Sequence, residues 1–171
     1  RRRKTVIISA LIITMIALPT IMKVISQDFS GICLAESKKS KDILSYFYKR
    51  LVTANGKKAD KKRFKDKKYV LVYFSAHWCP PCRKFTPELV TYYNEKSKEG
   101  KFEVIFVSND QTPKDMYNYM QETGMPWVAT AHNSDDSRFM ASKYAGKGIP
   151  CLVLVDLDWK VLSHTYVDGK Y

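Results

Sequence analysis

Apolar positions in this chain follow two different periods, and the switches between them mark the elements. Tyr69-Val70-Leu71-Val72-Tyr73-Phe74-Ser75 is a short unbroken apolar run rich in Val and aromatic residues, the signature of a buried strand. Phe85, Leu89, Val90 and Tyr93 then fall near helical spacing, which predicts a helix over 80–98. Phe102, Val104, Ile105, Phe106 and Val107 predict a strand over 102–108. Helices over 113–123 and 134–144 follow, then strands over 151–156 and 161–167. Upstream, Ile43, Leu44, Phe47 and Leu51 recur at helical intervals and predict an amphipathic helix over 40–52, opened by Ser40 or Asp42. Asn55-Gly56 signals a tight turn. The segment 61–68 is too polar to assign.

Strands alternating with helices imply an α/β fold with parallel crossovers and helices on both faces of one sheet. The short connection Asp156-Leu157-Asp158-Trp159-Lys160 instead implies an antiparallel hairpin, so the sheet is expected to be mixed. Pro87 falls inside the long helix, where it removes one backbone hydrogen bond.

The formal charge of +12 over 171 residues resembles a nucleic-acid signature until it is located. Residues 69–171 hold 11 Lys and Arg against 12 Asp and Glu, a net of −1. No nucleic-acid partner is expected of that part. Residues 36–68 hold 13 Lys and Arg against 4 Asp and Glu. This stretch reads either as a solvated, partly flexible basic linker, or as a contact for acidic partners or anionic lipid.

Arg1-Arg2-Arg3-Lys4 precedes Val6 to Met22, 17 residues without a charge. A basic flank and a long apolar middle match a signal peptide or an uncleaved signal anchor. A cut after Ala35 fits only in part, because Cys33 is an imperfect partner for the small-residue pattern. The expected organisation is a targeting segment at 1–35 with its hydrophobic run at 6–22, basic elements at 36–68 and a catalytic domain at 69–171. Export or membrane anchoring through the amino-terminal segment is the expected location.

Chemistry concentrates at Cys79-Pro80-Pro81-Cys82, where the first strand gives way to the long helix. Cys79 falls at the helix start, whose unpaired N–H groups and positive dipole end favour a thiolate, lowering its pKa below the free value of about 8.5. Prolines fit the first turn, which needs no N–H donors. A structural zinc site would need a second ligand pair, and Cys33, His77, His132, Cys151 and His164 make none at suitable spacing. A redox-active dithiol is the expected chemistry. The competing class is a membrane-tethered binding module, or a copper-handling protein without turnover.

The run from Tyr73 through Ala76-His77-Trp78-Cys79-Pro80-Pro81-Cys82-Arg83-Lys84-Phe85-Thr86-Pro87, with Phe102 to Ser108, Met125-Pro126-Trp127 and Gly148-Ile149-Pro150, resembles the tryparedoxin and nucleoredoxin branch of the thioredoxin superfamily. The resemblance covers roughly residues 69–160. It implies a thioredoxin-like mixed central sheet flanked by helices. That fold normally closes with a helix after the last hairpin, and the sequence stops at Tyr171, so this last helix is expected to be missing. It also implies a thiol–disulfide oxidoreductase acting on protein or small-molecule disulfides or dithiols, with no bound cofactor or metal and with an electron-donating partner that the residues do not identify. Cys79 becomes the exposed nucleophile and Cys82 the more buried resolving thiol. By the same resemblance Pro150 is cis and lies against the cysteines, and Ile149 pairs with an extended substrate segment.

Trp78 either walls the site for substrate or packs over the helix end. Cys151 is a small core residue or a thiol near the active pair. Many thioredoxins carry a buried acid six residues before the nucleophile, where this chain has Tyr73, a weak base at neutral pH. Asp110, at the end of the second crossover strand, either approaches the site or takes an ordinary surface or helix-capping role. Trp127 shapes a pocket rim or packs, and the three histidines are expected in surface or packing roles.

Overall fold

Val70, Val72 and Phe74 face one side of strand β1 (Tyr69–Ser75) and Leu71 and Tyr73 the other, and all five are buried. A strand apolar on both faces needs cover on both, which places it at the centre of a layered α/β fold. The computed structural model describes residue 47 and residues 49–99 and 101–166. Its sheet has five strands in the order β3-β2-β1-β4-β5, with β2 at Phe102–Ser108, β3 at Val128–Ala129, β4 at Cys151–Asp156 and β5 at Val161–His164. The β1–β2 and β2–β3 pairs are parallel, and the β1–β4 and β4–β5 pairs are antiparallel.

Helices α1 (Pro80–Lys96) and α2 (Pro113–Glu122) cover one face. Phe85, Leu89 and Tyr93 from the first, and Met116, Tyr119 and Met120 from the second, pack on Leu71, Tyr73, Phe106 and Leu152. Helix α3 (Asp135–Tyr144) covers the other face with Met140 and Tyr144, joined by Phe47, Leu51 and Phe64. Side-chain oxygens start α2 and α3. Thr112 accepts from the Asp115 amide and Ser134 from the Ser137 amide, each satisfying one donor that the helix cannot. Pro87 lies inside α1 as expected.

Several expected boundaries move. The first long helix ends at Lys96 and tightens into a 3₁₀ turn over Ser97–Glu99. The last strand ends at His164, because Thr165 turns its hydroxyl and amide back onto the Leu152 backbone. Most of the expected helix over 40–52 lies outside the described residues. Phe47 is helical, but Lys49 and Arg50 form a turn and Val52 is extended, so that helix does not reach Val52. Residues 1–35, with the apolar run 6–22, lie outside the described residues. Among the described residues no helix is long and apolar enough to cross a membrane, and none follows β5.

Asn55-Gly56 closes a small hairpin. Gly56, at φ 71°, donates to the Thr53 carbonyl, and Val52 bridges both Lys58 and Ala129. That bridge covers the outer edge of β3, which would otherwise present unpaired backbone groups. The polar segment 61–68 contains a 3₁₀ turn, Lys61–Phe64, that plugs Phe64 into the core. The lysines around it lie where β1 and β2 begin, since the Lys68 amide bonds the Lys101 carbonyl just before both strands.

A buried carboxylate fastens this turn to the sheet. Glu103 of β2 is 1% exposed and accepts from the Tyr93 hydroxyl at 2.8 Å and the Val104 amide at 2.9 Å. Arg63 donates to it at 3.4 Å and also bonds the Pro126 carbonyl. Burial and the adjacent Glu103 hold the Tyr93 hydroxyl above the ordinary phenol range. Replacing Glu103 with Ala strands the Tyr93 and Arg63 donors and is expected to cost about 2–3 kcal/mol. Glu103→Gln, which still accepts from Tyr93, should cost less. Urea unfolding at unchanged m-value checks this.

Candidate active site

Helix α1 begins at the end of β1 with two prolines in its first turn. An α-helix start normally offers several free N–H groups, but Pro80 and Pro81 have none to offer. Cys79 is the N-cap residue, with extended backbone at φ −91° and ψ 107°, and its Sγ accepts from the Cys82 amide at 3.3 Å. The next amide, on Arg83, bonds the Cys79 carbonyl. The sulfur therefore faces one backbone donor of the first turn rather than a fan of them. Cys79 and Cys82 are joined as a disulfide, with Cα atoms 5.2 Å apart, inside the usual span.

Both cysteines are buried, Cys79 at 4% and Cys82 at 0% exposure. Cys79, expected from the resemblance to be exposed, is not exposed in this disulfide state. The cause lies seventy residues away. Ile149 packs on the small cluster of Ala76, Cys79 and Cys82, and its carbonyl oxygen is 3.8 Å from the Cys79 Sγ. The Ile149–Pro150 bond is cis, and Pro150 is buried. The geometry thus brings together Cys79, Cys82, Ile149 and Pro150 from two distant parts of the sequence.

Beneath the disulfide lies a chain of hydroxyls. Thr86, one turn after Cys82 and fully buried, donates to the Cys82 carbonyl at 2.8 Å. Its single proton is then committed, so the Tyr73 hydroxyl at 2.8 Å and the Tyr119 hydroxyl at 2.5 Å both donate to it. Ser75 in turn lies 3.0 Å from the Tyr119 hydroxyl. Burial, then the neighbouring Tyr119, hold Tyr73 well above the ordinary phenol range. Tyr73 stays protonated at neutral pH and takes no proton from Cys82.

Trp78 is 62% exposed beside this pair, yet its indole N–H donates to the Asn109 carbonyl at 3.1 Å. The ring is thus tied by its one donor to the residue after β2. Asp110 is neither on the surface nor a helix cap: it is 7% exposed, and its carboxylate accepts from the His77 amide at 2.7 Å. The His77 ring stacks on Tyr119 and reaches Glu122 at 2.8 Å. Trp127 is core, edge-on to Tyr73 and Tyr93. His132 bonds the Asp110 carbonyl, whereas His164 bonds the Tyr144 carbonyl on the α3 side. Among the described residues no group of three or more His, Cys, Asp or Glu side chains could hold a metal ion.

A buried cysteine pair at the start of a helix, beneath the loop of Ile149 and Pro150 on a mixed five-stranded sheet, is the arrangement of a thioredoxin-like fold. Residues 66–161 match the family described as Thioredoxin-like, and the chain belongs to that family, in its tryparedoxin and nucleoredoxin branch. It is 41% identical over 97 residues to nucleoredoxin of Danio rerio, covering 56% of this chain and 23% of that protein. To probable nucleoredoxin 1 of Arabidopsis thaliana it is 39% identical over 101 residues, covering 58% and 17%. The chain thus spans less than a quarter of the length of these relatives. Among solved structures it is similar to tryparedoxin I from Leishmania major, with a TM-score of 0.63 at 30% identity, covering 76% of this chain and 88% of that one. Thioredoxin from Wuchereria bancrofti gives a TM-score of 0.61 at 38% identity, covering 66% and 78%.

Cys151 joins the core cluster on the α3 face with Phe74 and Val153, and Ile149 packs against both this cluster and the disulfide's. Cys151 is a free thiol at 1% exposure, pushed up by burial to about 11. The unfolded thiol ionises nearer 8.5, so Cys151 adds stability that is fully present below that pH and is lost as pH rises through about 11. Wild type should lose up to about 3 kcal/mol relative to Cys151→Val between pH 8 and 11.5. Paired denaturation curves across that range check the sign.

Proposed function

We propose that this chain is a thiol–disulfide oxidoreductase that reduces, or in the reverse direction forms, disulfides in proteins or small molecules through Cys79 and Cys82. The single observation that carries this reading is the Cys79 Sγ held at the helix start, 3.3 Å from the Cys82 amide and within bonding geometry of the Cys82 sulfur. In the reductive direction the Cys79 thiolate attacks one sulfur of a substrate disulfide, and the other substrate sulfur leaves as a thiolate and is protonated by water. The Cys82 thiol then loses its proton and attacks Cys79 Sγ. The second substrate sulfur departs, leaving a substrate dithiol and the Cys79–Cys82 disulfide.

The platform of Trp78 and the backbone of Ile149 flank the nucleophile and are the proposed substrate contacts. Among the structural relatives, tryparedoxin II has been solved with glutathionylspermidine, at 28% identity and a TM-score of 0.61, which supports small thiol or disulfide substrates as well as proteins. The basic flank Arg1–Lys4 and the charge-free run 6–22 support an exported or membrane-anchored location. Full-length protein should follow the membrane or exported fraction, and the same chain lacking 6–22 should not; equal distribution of the two would remove this location.

With dithiothreitol as donor and insulin as substrate, Cys79→Ser should abolish turnover. Cys82→Ser should stop after the first exchange and accumulate a mixed disulfide visible on a non-reducing gel. Full turnover in Cys79→Ser would overturn the assignment.

A further inference from the structure

The segment that carries Trp78 and Cys79 is held mainly by residues outside it. Strand β1 ends at Ser75, and the ladder to β2 continues one step further, with the Asn109 amide bonded to the Ser75 carbonyl. Beyond that step the chain turns, and the His77 amide meets no further strand carbonyl. The Asp110 carboxylate takes that place, with Oδ1 accepting from the His77 amide at 2.7 Å. The preceding residue, Asn109, takes the Trp78 indole N–H on its carbonyl. Two consecutive residues past β2 therefore grip two consecutive residues before the nucleophile.

Asp110 is itself fixed from both sides. Its Oδ2 accepts from the Ser108 hydroxyl at 2.8 Å, its amide donates to Ser108 Oγ at 2.9 Å, and its carbonyl accepts from His132 Nε2 at 2.8 Å. A buried carboxylate costs several kcal/mol without donors, so this placement is specific. Capping is not its role, because Thr112 caps α2. From the other side, Tyr119 and Glu122 of α2 hold the His77 ring. Of the three tryptophans only Trp78 is exposed, Trp127 and Trp159 being at most 5% exposed.

We propose that Asp110 is a positioning residue of the redox site, whose carboxylate fixes the His77–Trp78 segment as the platform that presents a protein disulfide to Cys79. This rests on the oxidoreductase reading above. A large substrate needs the platform in place before the sulfurs meet, whereas a small disulfide reaches Cys79 without it.

Asp110→Ala should therefore raise the KM for insulin about tenfold, the size of one lost charge-assisted hydrogen bond. Turnover of hydroxyethyl disulfide should stay within about twofold. Asp110→Asn still presents an oxygen to the His77 amide, keeps the shape, and should restore insulin kinetics. Iodide quenching of tryptophan fluorescence, measured below the melting point of every variant, should rise in Asp110→Ala and return in Asp110→Asn. This second readout needs no turnover: a wild type inactive on both substrates defeats the oxidoreductase reading, while quenching still tests the hold on Trp78. Unchanged quenching in Asp110→Ala, equal loss on both disulfides, or no rescue by Asp110→Asn overturns the role of Asp110.

Discussion

One hydrogen bond, from the Cys82 amide to the Cys79 sulfur, is the contact around which the site is arranged. It exists because α1 begins where β1 ends, and because two prolines occupy the turn between the sulfurs. Each proline removes a donor that a helix start would otherwise aim at an anion. The remaining donor is opposed by the Ile149 carbonyl, 3.8 Å from the same sulfur. Reduced Cys79 thus meets one group that favours its thiolate and one that favours its thiol. That balance suits the role proposed for Cys79, which attacks a disulfide and is later released from one.

The layer below is made of neutral oxygens. Ser75, Tyr119, Tyr73 and Thr86 pass hydrogen bonds toward the Cys82 carbonyl, and every hydroxyl proton in the chain from Tyr119 and Tyr73 onward is committed. Such a network is rigid when complete. It ties α1, β1 and α2 together directly under the sulfurs, and it makes the immediate surroundings of Cys82 insensitive to pH in the neutral range. In the proposed reaction the proton of Cys82 leaves by a route other than Tyr73.

The three central strands were legible because each is a mostly apolar stretch rich in Val, Leu, Ile and aromatic residues, and the ends of β1, β2 and β4 fall where the sequence pattern puts them. β3 was not, since two residues beside Pro126 and Trp127 carry no period. The turn at Lys61–Phe64 was hidden by its lysines: a single buried Phe64 and the long-range bonds of Arg63 to Glu103, Tyr93 and Pro126 hold it, and neither leaves a periodic trace. At the site, the spacing of Cys79 and Cys82 predicted their partnership, but the burial of Cys79 depends on Ile149 and the placement of Asp110 on His77. Both are contacts between distant stretches, which local pattern does not encode.

The lysines near the beginning of β1 and the sulfurs beyond its end are separated by the length of that strand. At about 3.3 Å per residue, seven residues span roughly 20 Å, more than two screening lengths at physiological ionic strength. The lysines of the 61–68 segment and the sulfurs therefore occupy electrostatically independent ends of the sheet. Added salt can weaken whatever the cationic end attracts while leaving the ionisation of Cys79 to its immediate neighbours, so adhesion and reactivity can diverge during evolution without either disturbing the other.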